Sequence, residues 1–224
     1  MAEPRRPAAG RRAVALVTLA VPAACLAGTI HGLATEAFLR FEYARPGFPA
    51  AAGFTDAERL AAALPSTLFL VRPDPPSALA ALRHAGRPLY AADEVAHLED
   101  VRRLVRLVTA LGWLGVVLLG AGGALWRRGR LPGYPGALAR GGLVTVGLVG
   151  AVGAGIALAW PFVFTGFHRL FFPPGTWQFA PDSGLIRLFP GRFWYDTAVA
   201  LSGLVAAEGL AVAVAGRALA RRAA

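Results

Sequence analysis

Four apolar runs, residues 13–34, 101–126, 138–162 and 195–216, limit what this chain can fold into more than any other feature. Each reaches the length of about 20 residues that a helix needs to cross a hydrocarbon core. In lipid every backbone N–H and C=O must be satisfied internally, so such runs read as helices rather than as open strands. With 56% hydrophobic residues over 224 and a mean hydropathy of +0.52, the chain is too apolar for an ordinary soluble domain of this length. The expected fold class is all-α: an integral membrane four-helix bundle, residues 1–224 forming a single membrane domain. A small extracytoplasmic cap would be built from the outer segments 35–100 and 163–194.

Charge orients the bundle. Four spans return both termini to one side, together with the loop between the second and third runs. Those three segments hold eleven Arg (5, 6, 11, 12, 127, 128, 130, 140, 217, 221 and 222) against the single acid Glu3. Nine carboxylates instead crowd the stretch from Glu36 to Asp100. An excess of positive charge marks the cytoplasmic face, so the termini are expected in the cytoplasm of a plasma membrane and both larger segments outside. The net charge of +10 is thereby assigned to anionic lipid at the membrane surface, and nucleic acid is not expected as a partner.

The amino terminus resembles a secretory or lipoprotein signal up to Val21-Pro22-Ala23-Ala24-Cys25. Pro22 occupies the place where a lipobox wants an aliphatic residue, and apolar character continues to Leu33, so an uncleaved first span is expected. Cys25 is the only cysteine, which leaves no disulfide framework, CxxC redox centre or Cys-rich zinc site.

In the first outer segment Thr55 and Glu58 have capping-box spacing, so a short helix is expected through residues 60–64, ending before Pro65. Residues 66–72 alternate weakly like a strand, and residues 77–84 read as a second short helix closed by Gly86. From Asp93 the helical pattern runs unbroken into the second apolar run. In the third run Gly147 with Ala151, and Gly150 with Ala154, have the spacing of close helix packing.

Two histidines stand out. His97 precedes the second run by a few residues, and at 100° per residue Asp93, His97, Asp100 and Leu104 share one stripe. A carboxylate one turn away on either side can hold one imidazole nitrogen and raise the basicity of the other. His168 follows the third run inside FTGFHRLFFPPGTWQF, residues 164–179, among six aromatic residues of the kind that collect at the headgroup level. Pro173, Pro174 and Gly175 stop a helix there. Topology places both histidines at the outer membrane surface, where they can meet. They could also be half of a metal site completed by Asp93 or Asp100, but no HExxH occurs, so neither metal nor cofactor is expected. His31 and His84 read as structural or solvent-facing, and Glu208, inside the fourth run, as a neutral or paired packing residue. A non-enzymatic protein organising lipid or an envelope complex would share the spans and the aromatic collar, without needing the two histidines.

The stretch DEVAHLEDVRRL (93–104) before a span, followed by FHRLFFPPGTWQFAPDSGLIRLFP (167–190) before the last, resembles the four-span bacterial membrane proteins of the lipoprotein intramolecular transacylase family. Leu98 stands where that pattern has Met, a change that conserves volume. The resemblance implies an acyltransferase acting on diacylated bacterial lipoproteins. It would move one acyl chain from the second glycerol oxygen to the α-amino group of the N-terminal cysteine, leaving the lyso form. It also implies that His97 and His168 are the essential pair. Acyl transfer from ester to amine needs a base, a returned proton and a stabilised oxyanion. His168 suits the first role and His97 the second, with Asp93 or Asp100 positioning His97, and Arg103, Arg169 or a backbone N–H near Gly166 facing the oxyanion.

Overall fold

The computed structural model describes residues 8–223; Glu3, Arg5 and Arg6 of the amino-terminal charge cluster lie outside them. In chain order the elements are α1 (Ala8–Leu33), α2 (Glu36–Tyr43), α3 (Asp56–Phe69), α4 (Pro76–Ala80), β1 (Arg83–His84), β2 (Arg87–Pro88), α5 (Ala92–Arg127), α6 (Tyr134–Phe171), α7 (Gly184–Leu188) and α8 (Gly191–Arg222). Helices α1, α5, α6 and α8 are long and apolar enough to cross a membrane. The protein is therefore an all-α, multi-pass integral membrane protein, with one short hairpin among the described residues. Contacts divide it into two compact units, one of Met1–Thr29, Val108–Ala154 and Leu201–Ala224, the other of Ile30–Leu107 and Gly155–Ala200.

In the first unit glycine allows helices to meet backbone to backbone. A Cβ on Gly142 of α6 would fall 2.2 Å from the carbonyl oxygen of Gly209 on α8, and one on Gly115 of α5 would fall 2.7 Å from that of Ala20 on α1. Val21, Cys25 and Val205 pack into one buried cluster here. These contacts correct the expected packing positions, because Gly147 and Gly150 have open space where a Cβ would go. Five residues rotate a helix by about 140°, which turns Gly147 away from the face Gly142 presents to α8. In the same unit the Thr29 hydroxyl donates to Glu208 Oε1 at 3.2 Å, giving that carboxylate a polar partner.

The second unit holds the cap. Thr55 opens α3 with the expected capping box: its hydroxyl accepts from the Glu58 N–H at 3.3 Å, and Glu58 Oε2 accepts from the Thr55 N–H at 2.8 Å. The helix then runs through Pro65 to Phe69, where an end and a strand were expected. Proline forfeits one backbone bond, and burial of the last helical turn outweighs it: Phe69 is 1% exposed, with the Arg102 guanidinium 3.8 Å over its ring. The second short helix also stops early, at Ala80. Ala85 (φ 48°) and Gly86 (φ 77°) then form the tight turn of the β1–β2 hairpin, a turn that requires positive φ at both central residues.

Leu39 of α2, Phe69 of α3, Leu98 of α5, Leu188 of α7 and Phe193 of α8 share the main buried cluster. A cap this small cannot enclose a core alone, and it draws on the long helices for one. Two buried polar features tie it down. Arg59 donates to the carbonyls of Pro49 at 2.6 Å and Leu188 at 3.1 Å and lies 4.2 Å over the Tyr43 ring. Arg45 joins the buried carboxyls of Glu42, at 3.4 Å, and Asp196, at 3.0 Å.

Candidate active site

The sequence of α5 separates its two jobs. Its 36 residues make a helix about 54 Å long, well beyond a hydrocarbon core of about 30 Å. The charge-free stretch is 107–126, whereas residues 92–106 carry four carboxylates and three arginines. His97 thus sits on the turns that precede the membrane-crossing run. Helix α6 reaches its histidine differently. It bends at Ala159 (φ −149°, ψ 47°), two residues before Pro161, and then continues to Phe171. His168 therefore lies on the last helical turns of α6, and Pro173, Pro174 and Gly175 come after the helix end as expected.

The two imidazoles come together, with ring centroids 6.1 Å apart and planes inclined by 23°. Phe172 touches both, at 5.0 Å from His97 and 5.5 Å from His168. Phe179 lies 5.5 Å from His97, while Trp177 and Phe164 lie 4.8 and 4.1 Å from His168. Phe164, Phe167, Phe172, Trp177 and Phe179 thus wall the histidine pair.

Hydrogen bonding distinguishes the rings. The Nδ1–H of His168 donates to the Phe164 carbonyl oxygen at 2.7 Å, which fixes the tautomer and leaves the Nε2 lone pair available to a proton. His97 is 6% exposed, and its Nδ1 has no hydrogen-bond partner. An orphaned buried imidazole nitrogen is costly unless it serves a ligand or a reaction.

The supporting residues do not stand as the stripe on α5 suggested. Asp100 pairs with Arg103 at 2.7 Å, and Asp93 accepts from the Glu94 N–H at 3.0 Å, so neither carboxylate bonds His97. A stripe of shared azimuth brings side chains to one face, and here each acid found a nearer donor. Arg169 is exposed next to His168, and Gly166 lies within helix α6, where its N–H belongs to the helical ladder. His84 is structural: Nε2 bonds the Gly53 carbonyl at 2.7 Å and the ring stacks on Phe54 at 3.8 Å.

Glu94 is the residue to which the sequence assigned no task. It is 3% exposed and accepts from the Ala91 N–H at 2.8 Å and from the Leu185 N–H at 2.6 Å. The available signal was its place at the third helical position of α5, where a carboxylate reaches back to the cap. A cavity of about 310 Å³ is lined by Asp93, Glu94, Gln178, Phe179, Asp182 and Ser183, and it shares Phe179 with the wall around His97. Among the described residues no three His, Cys, Asp or Glu side chains are grouped to hold a metal ion.

Long apolar helices carrying a walled pair of histidines define an integral membrane protein with the makings of acid/base chemistry. Comparison with known proteins assigns it further. The chain matches the family described as lipoprotein intramolecular transacylase Lit over residues 15–194, and it belongs to that family of acyltransferases. It is 27% identical over 172 residues to an uncharacterised protein of Aquifex aeolicus, covering 72% of this chain and 73% of that one. Its fold is similar to the in meso structure of the membrane integral transacylase Lit from Bacillus cereus. That match has a TM-score of 0.77 and 17% identity, over 96% of this chain and 97% of the other. A form of the same protein carrying a histidine-to-arginine mutation matches with a TM-score of 0.74 and 17% identity, over 96% and 93% of the two chains.

Proposed function

We propose that this protein transfers an acyl chain within a diacylated bacterial lipoprotein, from the glycerol sn-2 oxygen to the α-amino group of the N-terminal cysteine. His97 and His168 are its acid/base pair. The observation that carries this reading is the pairing itself: two imidazoles from separate helices, 6.1 Å apart behind an aromatic wall, one with its tautomer set by Phe164.

In the reaction His168 Nε2 takes a proton from the substrate ammonium. The freed amine attacks the ester carbonyl, forming the N–C bond of the amide, and the C–O bond to glycerol then breaks. His97 takes the second proton from the attacking nitrogen as the tetrahedral adduct collapses and delivers it to the departing glycerol oxygen, and the proton held by His168 is released to water. Ester and amine belong to one lipidated cysteine, so proximity carries much of the barrier and no cofactor is needed. Asp100 acts on His97 by charge across the helix surface, without a hydrogen bond. Arg169, which has no ion pair among the described residues, or Arg103 faces the oxyanion. The aromatic wall suits the outer headgroup level, with the termini in the cytoplasm of a plasma membrane and membrane lipids around the spans.

The test is mass spectrometry of a lipoprotein's N-terminal peptide from a bacterium that makes diacylated lipoproteins and expresses this chain. Wild type should yield peptide acylated on the amine with one acyl lost from glycerol, and His97→Ala and His168→Ala should yield none. Unmodified peptide from cells whose membranes contain the wild-type protein, or product from both mutants, would refute the proposal.

A further inference from the structure

We infer that Glu94 is a positioning residue for His97: its single carboxylate caps two helices and so holds the histidine against its aromatic wall. The inference rests on the transacylase reading, since it assigns the residue that sets the geometry of that site.

The first N–H groups of a helix have no partner inside it. At α5 the orphan is the Ala91 N–H and at α7 it is the Leu185 N–H, and the two oxygens of Glu94 take one each, at 2.8 and 2.6 Å. Ser183 takes a further α7 donor, the Ile186 N–H, at 3.3 Å. A negative side chain at helix N-termini is also favoured by their partial positive charge. Across the same seam the backbones nearly touch, because a Cβ on Gly184 would lie 2.0 Å from the Leu89 carbonyl oxygen.

This fixes the distance between two things the site needs. His97 lies one turn beyond Glu94 on α5. The segment leading into α7 carries Phe172 and Phe179, which cover the His97 ring at 5.0 and 5.5 Å. With Glu94 in place, the segment is pinned at its α7 end to the helix that bears His97. Without it, both helix starts lose a partner and the cover over His97 loosens. Glu94 also borders the cavity lined by Phe179 and Asp182.

The experiment uses the full chain in lipid nanodiscs and compares wild type, Glu94→Gln and Glu94→Ala. Two quantities are read: the rate at which diethyl pyrocarbonate labels His97, located by peptide mass spectrometry with His84 as internal reference, and the kcat and KM for lipoprotein transacylation per folded molecule. Glu94→Ala should raise His97 labelling roughly tenfold relative to His84, because local opening replaces burial. It should lower kcat by about 30- to 100-fold with KM nearly unchanged, the effect of misplacing a reacting group by about an ångström. Glu94→Gln keeps one acceptor oxygen and should fall between. His97 labelling at the wild-type rate in Glu94→Ala overturns the inference; should that variant not accumulate, the wild-type rate in Glu94→Gln does so. Wild-type protein without transacylase activity would overturn the proposed function instead, and His97 labelling would still decide the role of Glu94.

Discussion

The Nδ1–H of His168 donates to the carbonyl oxygen of Phe164, one turn earlier on α6, at 2.7 Å. This bond decides which nitrogen of the ring can do chemistry. A histidine left to rotate would offer either tautomer, whereas this one presents Nε2 as the acceptor.

Replacing His168 with Asn separates geometry from basicity. The Asn amide can still donate to Phe164, so the helix end and the aromatic wall should persist, while the Nε2 lone pair is gone. Acyl transfer should drop by about 10²- to 10⁴-fold, the usual contribution of a positioned base, with little change in thermal unfolding. A loss of activity matched by a loss of folded protein would assign His168 a structural role.

The sequence carried the architecture and the pair, for identifiable reasons. Runs such as 101–126 are long enough for a spanning helix, and Pro173, Pro174 and Gly175 in succession leave a helix little way to continue, so the spans and this break were legible. What was not legible depended on partners far along the chain. Pro65 reads as a stop until Phe69, inside the expected strand, is seen buried on the last turn of α3. Asp93, His97 and Asp100 share a stripe, but whether an acid bonds a histidine or an arginine one turn on is decided by rotamers, and Arg103 took Asp100. Glu94 has a local capping pattern, yet its bond to Leu185 spans 91 positions.

The pair Glu42 and Asp196 sets a pH dependence. Burial, then the Asp196 carboxylate, raise the Glu42 pKa, and Arg45 opposes them. Glu42 Oε1 has no donor, so a proton on Glu42 is what lets the two carboxyls bond each other. The folded state therefore holds this proton more tightly than the unfolded chain. Stability from this source is complete below the unfolded value and is lost as pH rises through the folded value. Glu42→Gln, which carries its hydrogens at every pH, should be at least as stable as wild type at pH 8. The difference should vanish as pH falls into the carboxylate range, measured by thermal unfolding in detergent. Wild type more stable than Glu42→Gln at pH 8 would contradict this account.

Arg59 is 3% exposed and bonds backbone carbonyls rather than a carboxylate. Its removal leaves those carbonyls unpaired and takes the cation from over Tyr43. Arg59→Ala should destabilise the cap by about 2–4 kcal/mol. Arg59→Lys should recover only part of this, because an ammonium cannot reproduce the planar fork that reaches both Pro49 and Leu188. Limited proteolysis within residues 44–91 should report the change.

The two kinds of glycine in α6 give the sharpest check on helix packing. A Cβ at position 142 would stand 2.2 Å from the Gly209 oxygen and 2.6 Å from the Ala213 nitrogen, backbone atoms that cannot move aside as a side chain would. Gly142→Ala must therefore push α6 and α8 apart, and overpacking of this kind is destabilising by about 1–3 kcal/mol. At Gly147 the same methyl meets nothing within 4 Å, and the helix gains Ala's better propensity. Gly147→Ala should leave the unfolding temperature unchanged or slightly raised. If both variants unfolded at the same temperature, the close seam between α6 and α8 would have to be relocated, and Gly147, with the spacing that first suggested packing, would become its candidate again.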